Sequence, residues 1–404
     1  MSTVDVKNQS LLRKLLHTAE GHANPYPLYR ELLAASPMHF RTEDGTWYAF
    51  GYPECRGLLA DPSCSVRPQD SSDGRPIEGG GRLSASMVMH DPPEHTRLRR
   101  LVGWAFTPSA VQRLRPRITA LVDAALDEVS KKGEADFMSD VAYPLPAAVI
   151  GEVVGIPPAE AARFIALSDV GSVAAEGESG TEALKRARRA DEELERAFLE
   201  VIEHRKRSPK DDLVGSMVEA DNGQSVPTLD EVVSTVMLLF IAGVLTTTHF
   251  IGNGLLALLR HPAQLERLKR EVALMPLAVE EMLRYDGPVQ VVARTLTGRV
   301  DVTERVLDEG ARVVAVLGSA NRDPRRFADP DRFDVGRTNS SSLAFGWGVH
   351  HCLGIHLARL EGEILFTRLL ERFRKLELVD EDPPIVPGLM IRGPGRLLVR
   401  TTPH

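Results

Sequence analysis

The longest apolar stretch of the chain, residues 232–259, contains no Asp, Glu, Lys or Arg. Thr228 and Glu231 precede it with the spacing of a capping box, and His261-Pro262 follows it, so the pattern predicts one helix over residues 228–260. At about 1.5 Å per residue, this helix is roughly 50 Å long, enough to cross a whole domain. It would also be long enough to span a bilayer. The polar side chains within it and the lack of a flanking basic cluster favour a helix buried in a soluble core.

Outside this segment the pattern is mainly helical, with a smaller β part toward the C-terminus. Helical periodicity recurs in residues 94–132, 157–219, 277–285 and 353–373. Strand-like runs occupy residues 289–292, 300–302 and 311–317, and the last stretch of the chain alternates like a hairpin. Residues 67–82 and 321–342 have irregular composition. A doubly wound sheet would alternate strands and helices regularly, so we predict a mainly α fold with a small β part.

Composition narrows the class of protein. Of the 404 residues, 43% are hydrophobic and 26% are charged, which excludes disordered and low-complexity chains. The net charge of -7 gives no support to a nucleic-acid partner, which would require a basic surface. Three cysteines are too few for a disulfide framework, and the N-terminal residues lack the pattern of a signal peptide. We therefore expect a cytoplasmic protein.

The densest chemical pattern is residues 345–354, FGWGVHHCLG. Its glycines permit a tight turn, and Cys352 directly precedes a helical pattern, where free N–H groups stabilise a thiolate. This arrangement suits a metal-ligating thiolate. A zinc site of His350, His351, Cys352 and His356 is an alternative, but these residues are too close in sequence without distant partners. A buried structural cysteine is another alternative, which would need neither the glycines nor His350.

This segment resembles the haem loop of the cytochrome P450 mono-oxygenases, F-G-x-G-x-H-x-C-x-G, at every fixed position. The resemblance implies a soluble bacterial member with haem b as cofactor, in one cytochrome P450 domain over residues 1–404. It makes Cys352 the axial ligand of the iron, where a thiolate favours O–O cleavage. It also implies that His350 bonds a haem propionate and that Phe345 and Gly346 contact the haem.

A second stretch, residues 91–100, resembles the family segment whose His and Arg bind the propionates, here His95 and Arg99. At i, i+4 on a helix, both side chains could face one anion. In isolation the segment would be interpreted as an amphipathic surface helix. Arg294 occupies the family's third propionate-binding position.

A third pattern, Glu281-x-x-Arg284, places opposite charges on one face of a helix. Alone it would indicate an ordinary surface pair. In its order before the haem loop it resembles the family's buried Glu–Arg pair. The resemblance implies that Arg284 bonds residues 329–333 and holds the cysteine loop in place.

The centre of the long helix, residues 242–247, resembles the family pattern A-G-x-[DE]-T-[TS]. The resemblance implies a local kink at Gly243 and assigns Thr246 to the oxygen complex. A threonine bonded to its own i-4 carbonyl is the structural alternative. Leu245 departs from the pattern, because the family's acid at this position supplies protons and leucine cannot.

Two residues suggest another route for protons. His249 lies three residues after Thr246, and Glu280 precedes the E-x-x-R glutamate. We hypothesise a relay through Glu280, His249 and ordered water. His249 as a core histidine, or a proton donated by a substrate carboxylate or hydroxyl, are the alternatives.

Motif positions also outline a substrate pocket. We expect its apolar lining to consist of Met87, Val88, Leu238, Ala242, Leu245, Val291, Val292, Leu389 and Met390. Such a lining is compatible with a hydrophobic or aromatic natural-product intermediate.

Soluble bacterial members of the family take electrons from NAD(P)H through a ferredoxin reductase and a small acidic ferredoxin. The resemblance places Arg359 on the proximal face, with Arg97 or Arg100. A basic patch there would steer an acidic partner, whereas solvated arginines would have no such role. We expect a monomer with no membrane partner.

The resulting expectation is a mono-oxygenase of secondary metabolism that hydroxylates its substrate. Leu245 motivates an alternative, an oxidative cyclisation or coupling that forms a C–N, C–C or C–O bond in an amino-acid- or peptide-derived metabolite without oxygen insertion. A haem protein without mono-oxygenase activity, which docks a carrier-bound substrate or acts as a sensor, is an alternative of another class. An integral membrane protein built on residues 232–259 is a third.

Overall fold

The computed structural model describes residues 3–67, 81–156, 163–164, 166–167, 181–210, 212–219, 227–303, 305–339 and 341–404. Most of the predicted loop at 67–82 and part of the predicted helical segment 157–219 lie outside these residues.

Helices dominate the described part of the chain, as the sequence pattern predicts. The α-helices are α1 (Thr3–His17), α2 (Ala19–Ala23), α3 (Tyr26–Ala35), α4 (Tyr52–Ala60), α5 (Glu94–Gly103), α6 (Pro108–Arg113), α7 (Arg115–Lys132), α8 (Pro144–Val154), α9 (Thr181–Arg207), α10 (Leu213–Val218), α11 (Leu229–Arg260), α12 (Pro262–Arg270), α13 (Met275–Tyr285), α14 (Leu317–Ala320) and α15 (Ile355–Arg372). Short 3₁₀ turns span Gly81–Ala85, Met87–Met89, Trp104–Phe106, Val272–Leu274 and Gly348–His350, and a π turn spans Met138–Ala142.

In the residues that the structure describes, the β part forms three small sheets. The strands are β1 (Met38–Arg41), β2 (Thr46–Ala49), β3 (Cys64–Ser65), β4 (Glu134–Asp136), β5 (Val291–Leu296), β6 (Val300–Val302), β7 (Arg305–Leu307), β8 (Arg312–Val316), β9 (Phe373–Leu378) and β10 (Leu398–Pro403). The largest sheet has the order β1-β2-β8-β5-β3, the second has the order β4-β10-β9, and β6 pairs with β7.

The prediction of one long central helix is confirmed. At the start of α11, Thr228 Oγ1 accepts a hydrogen bond from the Glu231 amide at 3.2 Å, and Glu231 Oε2 accepts one from the Thr228 amide at 2.9 Å. By length and composition α11 could cross a membrane. Most of its side chains are buried, however, and it packs against α8 and α13. Because other helices surround it, α11 is a core helix, as the polar residues within it predict.

Strand positions are predicted better than strand partners. β6 has the predicted bounds, and β8 lies within the predicted run 311–317. The local pattern did not predict β1 and β2. It also did not predict that β2 pairs in parallel with β8, with Thr46 beside Arg312 and Ala49 beside Ala315. Such a pairing depends on residues far apart in sequence, which periodicity does not report.

Three hydrophobic clusters support the site. The largest joins α7, α8, α11, α13 and α15, and the other two lie on opposite sides of the β1-β2-β8-β5-β3 sheet. Because side chains alternate across a strand, Val316 belongs to one of these clusters and Ala315 to the other. The functional residues described below lie where α11, the sheet and α15 meet.

Candidate functional site

The segment that precedes α15 folds into a tight loop around Cys352. The Cys352 amide donates to the Phe345 carbonyl at 3.0 Å, which closes the loop. Gly346 and Gly348 have φ of 69° and 75°, a left-handed conformation that favours glycine. A Cβ at Gly348 would lie 2.2 Å from the Leu59 carbonyl oxygen, whereas one at Gly346 would meet nothing within 4 Å. Gly348 is therefore required both by its backbone angle and by contact with α4.

Cys352 lies at the N-terminal end of α15, half-buried. Burial raises the pKa of its thiol, and the backbone amides of Gly354 and Ile355 oppose this shift together with Arg99 and Arg359. The amides and guanidinium groups thus favour a thiolate at this position. In the described part of the chain, no group of three or more His, Cys, Asp or Glu side chains is placed to hold a metal ion, so the zinc alternative has no cluster to support it.

A cavity lies between this loop and one face of α11. Its wall is mostly apolar and includes Cys352, Thr246 and the predicted residues Phe345 and Gly346. From the predicted substrate pocket it includes Met87, Val88, Leu238, Ala242 and Val292.

The four side chains predicted to bind the propionates line the same cavity. They are His95, Arg99, Arg294 and His350. The His95 and His350 rings are 4.4 Å apart, and His95 Nδ1 and His350 Nε2 are buried without a hydrogen-bond partner. Burial lowers the pKa of His350 to about 4, with His95 and Arg294 acting in the same direction, and burial also lowers the pKa of Arg294. Such a group of donors is complementary to an anion with several carboxylate oxygens.

These residues fit a haem. The unpartnered imidazole nitrogens and the two arginines suit its propionates, and Cys352 offers a thiolate on the same cavity. The fit brings together His95 and Cys352, which are 257 positions apart in sequence, because α5 carries His95 and Arg99 to the cavity and β5 carries Arg294.

Thr246 faces the cavity, but its hydroxyl donates to the Ala242 carbonyl at 2.7 Å. This is the i-4 bond that the sequence analysis left open as the structural alternative. Gly243 has a packing reason as well, since a Cβ there would lie 2.9 Å from Ile150 Cγ1 on α8. The glycine therefore allows close approach of α8, and α11 is continuous through this position.

Glu281 and Arg284 form a fully buried ion pair, with Arg284 Nε 2.7 Å from Glu281 Oε2. Arg284 Nη1 also donates to the Asn321 and Pro330 carbonyls at 2.9 and 2.8 Å, and Arg284 Nη2 donates to the Arg332 carbonyl at 3.2 Å. The pair thus ties α13 to the irregular segment that leads to the cysteine loop.

The hypothesised relay through Glu280, His249 and ordered water gains no support from direct contacts with the cavity. Glu280 accepts two hydrogen bonds from Arg359, at 2.5 and 3.0 Å, and neither Glu280 nor His249 lines the cavity. His249 is buried beside Tyr143 and Gly393, its Nδ1 has no partner, and burial lowers its pKa to about 4. Residue 249 lies only about 60° around the α11 axis from Thr246, so its distance from the cavity wall is set by its packing beside Tyr143 and Gly393.

Four predicted pocket residues lie outside the cavity wall: Leu245, Val291, Leu389 and Met390. Alternation along β5 explains one of them, because Val292 and Arg294 face the cavity while Val291 packs with Leu389 in the third hydrophobic cluster. Leu245 is buried one residue from Thr246, about 100° around α11. Met390 is 48% exposed.

The three arginines predicted to face a redox partner differ in their contacts. Arg359 pairs with Glu280, and Arg97 pairs with Glu231 at the start of α11. Arg100 is exposed and has no ion pair with any described residue. The pairs neutralise Arg359 and Arg97 in part, which the sequence pattern did not predict.

One acidic residue that the sequence motifs did not indicate lines the cavity. Glu361 on α15 is 2% exposed, and its Oε2 has no hydrogen-bond partner. It follows Gly354, Leu357 and Ala358 on the same face of α15. Helical spacing from the cysteine loop was the signal that could have indicated it.

Comparison with known proteins supports the family over nearly the whole chain. Residues 179–399 match the family model described as Cytochrome P450. The chain is 38% identical to the cytochrome P450 monooxygenase PikC of Streptomyces venezuelae over 388 residues, which cover 94% of this chain and 91% of PikC.

Two solved structures are also similar to this fold. P450BioI, in complex with acyl carrier protein ligated to hexadec-9Z-enoic acid, has a TM-score of 0.89 at 33% identity and covers 95% of this chain and 99% of its own. CxnD, a cytochrome P450 for C–S bond formation in chuangxinmycin biosynthesis, has a TM-score of 0.86 at 32% identity and covers 97% and 98%. At this identity and coverage, the chain belongs to the cytochrome P450 family and is a haem mono-oxygenase.

Proposed function

We propose that this mono-oxygenase hydroxylates a small, largely hydrophobic intermediate of secondary metabolism. The observation that carries the proposal is the apolar cavity that Cys352, Thr246 and the four propionate-type donors share. The haem, when bound, supplies the oxidising chemistry, and the protein supplies its thiolate ligand and a shaped, largely apolar site.

Each residue of the site has a separate task in this proposal. Cys352 binds the iron, and its loop is fixed by Gly348 and by the Glu281–Arg284 pair. His95, Arg99, Arg294 and His350 hold the propionates. Thr246 can turn its hydroxyl from the Ala242 carbonyl toward the cavity, where it would donate to oxygen or water.

The substrate class follows from the side chains around the cavity. Met87, Val88, Leu238 and Val292 offer apolar and partly adaptable contacts. The lipid-ligated carrier protein bound by P450BioI supports a hydrophobic substrate and leaves a carrier-bound one open. Screening free and carrier-bound metabolites for a spin-state shift of the ferric haem tests this. A shift caused only by polar metabolites would contradict the proposal.

Oxidative coupling is the second candidate reaction. Leu245 presents no carboxylate, and CxnD, which has the same fold, is described as forming a C–S bond. Turnover under ¹⁸O₂ separates the two reactions. Label in the product supports hydroxylation, and a product with a new bond but no label supports coupling.

We further propose that the enzyme is a cytoplasmic monomer that receives electrons from NAD(P)H through a ferredoxin. Arg100 is the exposed cation of the predicted patch, whereas Arg359 is paired with Glu280. Arg100→Glu should raise the KM for an acidic ferredoxin. Added salt should raise this KM less in the variant than in the native protein, because the variant has lost an attractive charge that salt would screen. Arg396→Glu, also at an exposed arginine, is the control. Equal effects of both variants would contradict the patch.

A further inference from the structure

A second cavity lies beyond the haem cavity, which Cys352 and Thr246 line, along the same face of α11. Asn253 lines the second cavity and lies two turns after Thr246, so both side chains are on one side of the helix. The volume of this cavity is about 630 Å³, within the range of roughly 300–1,000 Å³ typical of small-molecule sites. Among the described residues none lines both cavities, so the second cavity has no part in the proposed oxidation.

The buried part of its wall is held firmly in place. The Arg322 guanidinium lies between the rings of Tyr26 and Tyr285, 3.6 and 4.0 Å from their centroids. Arg392 donates to Asp286 at 3.0 Å and to two carbonyls that precede α3 at 2.9 and 2.7 Å. A site whose polar groups are already fixed loses little conformational entropy when a ligand binds.

This wall also contains one open hydrogen-bond acceptor, Asn253 Oδ1. The Asn253 amide nitrogen donates to the Asp286 and Arg392 carbonyls at 2.9 and 3.0 Å, which fixes the orientation of the amide. Asn253 is 2% exposed, and its Oδ1 has no partner. A buried acceptor without a donor is costly. The cavity is therefore complementary to a ligand that carries an N–H or O–H donor.

The rim of the cavity carries charges of both signs that are only weakly paired. Arg30 lies 3.3 Å from Asp331, and Arg260 lies 3.4 Å from Asp382, whose side chain is fully exposed. Nε and Nη1 of Arg260 make no hydrogen bond with any described residue. Exposed ion pairs of this kind contribute little to stability, so the charges of a ligand could replace one partner at little cost.

The rest of the wall offers apolar contacts, which include Pro27, Leu256, Ala257, Pro383 and Ile385. A carboxylate ligand alone would leave the acidic rim and the open acceptor unmatched. An amine alone would leave the arginines unmatched. A zwitterion with an apolar side chain is complementary to the arginines, to the acceptors and to the apolar wall.

We propose that this second cavity binds a free α-amino acid with an apolar side chain. Its ammonium group donates to Asn253 Oδ1 and to a rim carboxylate, its carboxylate accepts from Arg260, and its side chain contacts Leu256 and Ala257. Helix side chains lean toward the N-terminus, so Arg260 can reach back over Leu256 toward Asn253. Binding is non-covalent and does not depend on the reaction proposed for the haem cavity.

The first test is isothermal titration calorimetry of the ferric holoenzyme with L-leucine and with L-phenylalanine. At least one of them should bind as a single molecule per enzyme. The amide of that amino acid lacks the carboxylate, and its deamino acid lacks the ammonium group, so each should bind at least about tenfold more weakly. If neither amino acid binds, or if either derivative binds as tightly as the amino acid, the proposal is wrong.

The haem absorption spectrum distinguishes the two cavities. The Soret band should not shift during the titration, because the residues of the second cavity are separate from those around Cys352. A shift with the same midpoint as the heat of binding would place the amino acid in the haem cavity and overturn the proposal. The measurement needs no turnover, so its result stands whether or not the enzyme hydroxylates a substrate.

Two variants locate the site. Arg260→Gln should weaken binding of the amino acid at least about tenfold, because it removes the cation that pairs with the carboxylate. Ala257→Leu fills part of the cavity and should abolish binding. Arg270→Gln, at an exposed arginine of α12 outside the cavity, is the matched control. Native affinity in Arg260→Gln, or an equal loss in Arg270→Gln, would contradict the site, and these two variants decide even if Ala257→Leu does not fold.

Discussion

Glu281 and Arg284, one turn apart on α13, are joined by two hydrogen bonds of 2.7 and 2.9 Å, and both side chains are 0% exposed. The same carboxylate accepts from the Asp334 amide at 2.9 Å and from Arg337 Nε at 3.0 Å. Both charges are therefore satisfied by the irregular segment before the cysteine loop. An ion pair of this kind is costly to break on one side only.

Arg284→Ala should lower the free energy of unfolding by about 3–5 kcal/mol, because it leaves the buried Glu281 carboxylate without one of its two arginine partners. It should also reduce haem content, since the chain leading to Cys352 loses its anchor. Denaturant titration and the ferrous–CO spectrum measure the two effects. Arg396→Ala, at an exposed arginine, is the control. Native haem content in Arg284→Ala would contradict the anchoring role.

Two glycines of the cysteine loop should respond differently to alanine. Gly346→Ala meets open space and adds only the cost of a left-handed alanine, about 1–2 kcal/mol. Gly348→Ala adds a collision with the Leu59 carbonyl, so it should lose most of its haem. Haem content per protein, measured by absorbance, compares them. Equal losses in the two variants would show that contact with α4 is unimportant.

Gly243→Ala should destabilise the protein by about 1–3 kcal/mol, because its methyl group overlaps Ile150 on α8. Ile150→Ala in the same chain should recover part of that loss, which a double-mutant cycle of unfolding free energies measures. If the losses of the two single variants simply add in the double variant, the loss caused by Gly243→Ala arises within α11 and not from its contact with Ile150. Recovery would assign this glycine to helix packing as well as to the oxygen site.

His249 should make the protein sensitive to acid. Its folded pKa of about 4 lies below the ordinary value near 6.5, because burial disfavours the charged ring. The unfolded chain therefore takes up a proton first as the pH falls, and stability is lost between about pH 6.5 and 4, by roughly 3 kcal/mol. Above that window the contribution is constant. In His249→Gln, the free energy of unfolding measured by denaturant titration should not show this loss between pH 6.5 and 4. If the free energies of unfolding of the two proteins differ by the same amount at every pH, the prediction is wrong.

The thiols should differ sharply in their effect on the haem. Cys352→Ser should abolish the thiolate-type absorption of the ferrous–CO complex, because serine is a poor ligand for this role. Cys64→Ala is the matched control: Cys64 is buried in β3, and burial raises its pKa to about 12. An unchanged CO spectrum in Cys352→Ser would exclude Cys352 as the ligand.

Local pattern predicted the elements that depend on neighbouring residues. The capping box at Thr228 and Glu231 defined the start of α11, and the glycines before Cys352 indicated a tight loop. The fold class followed from the same periodicity.

Side-chain positions that depend on tertiary packing were predicted less well. Val291 and Leu389 were assigned to the pocket by motif position, yet the alternation of β5 and the packing of the terminal segment turn them to another cluster. The partner of Glu280 is Arg359, which is 79 positions away, and no local pattern reports that contact. Glu361 was not predicted because a single acid on a helix is usually solvated, and its burial depends on tertiary packing that the local pattern does not report.

The parallel pairing of β2 with β8 sets an order on the synthesis of this protein. Thr46–Ala49 leaves the ribosome more than 260 residues before Arg312–Val316. Until then one edge of β2 lacks its neighbour and is open to pairing with other chains. The cysteine loop follows β8 by fewer than forty residues. The largest sheet and the cofactor site are therefore both completed within the last quarter of the chain to be translated, and a nascent chain that stalls before Val316 has neither.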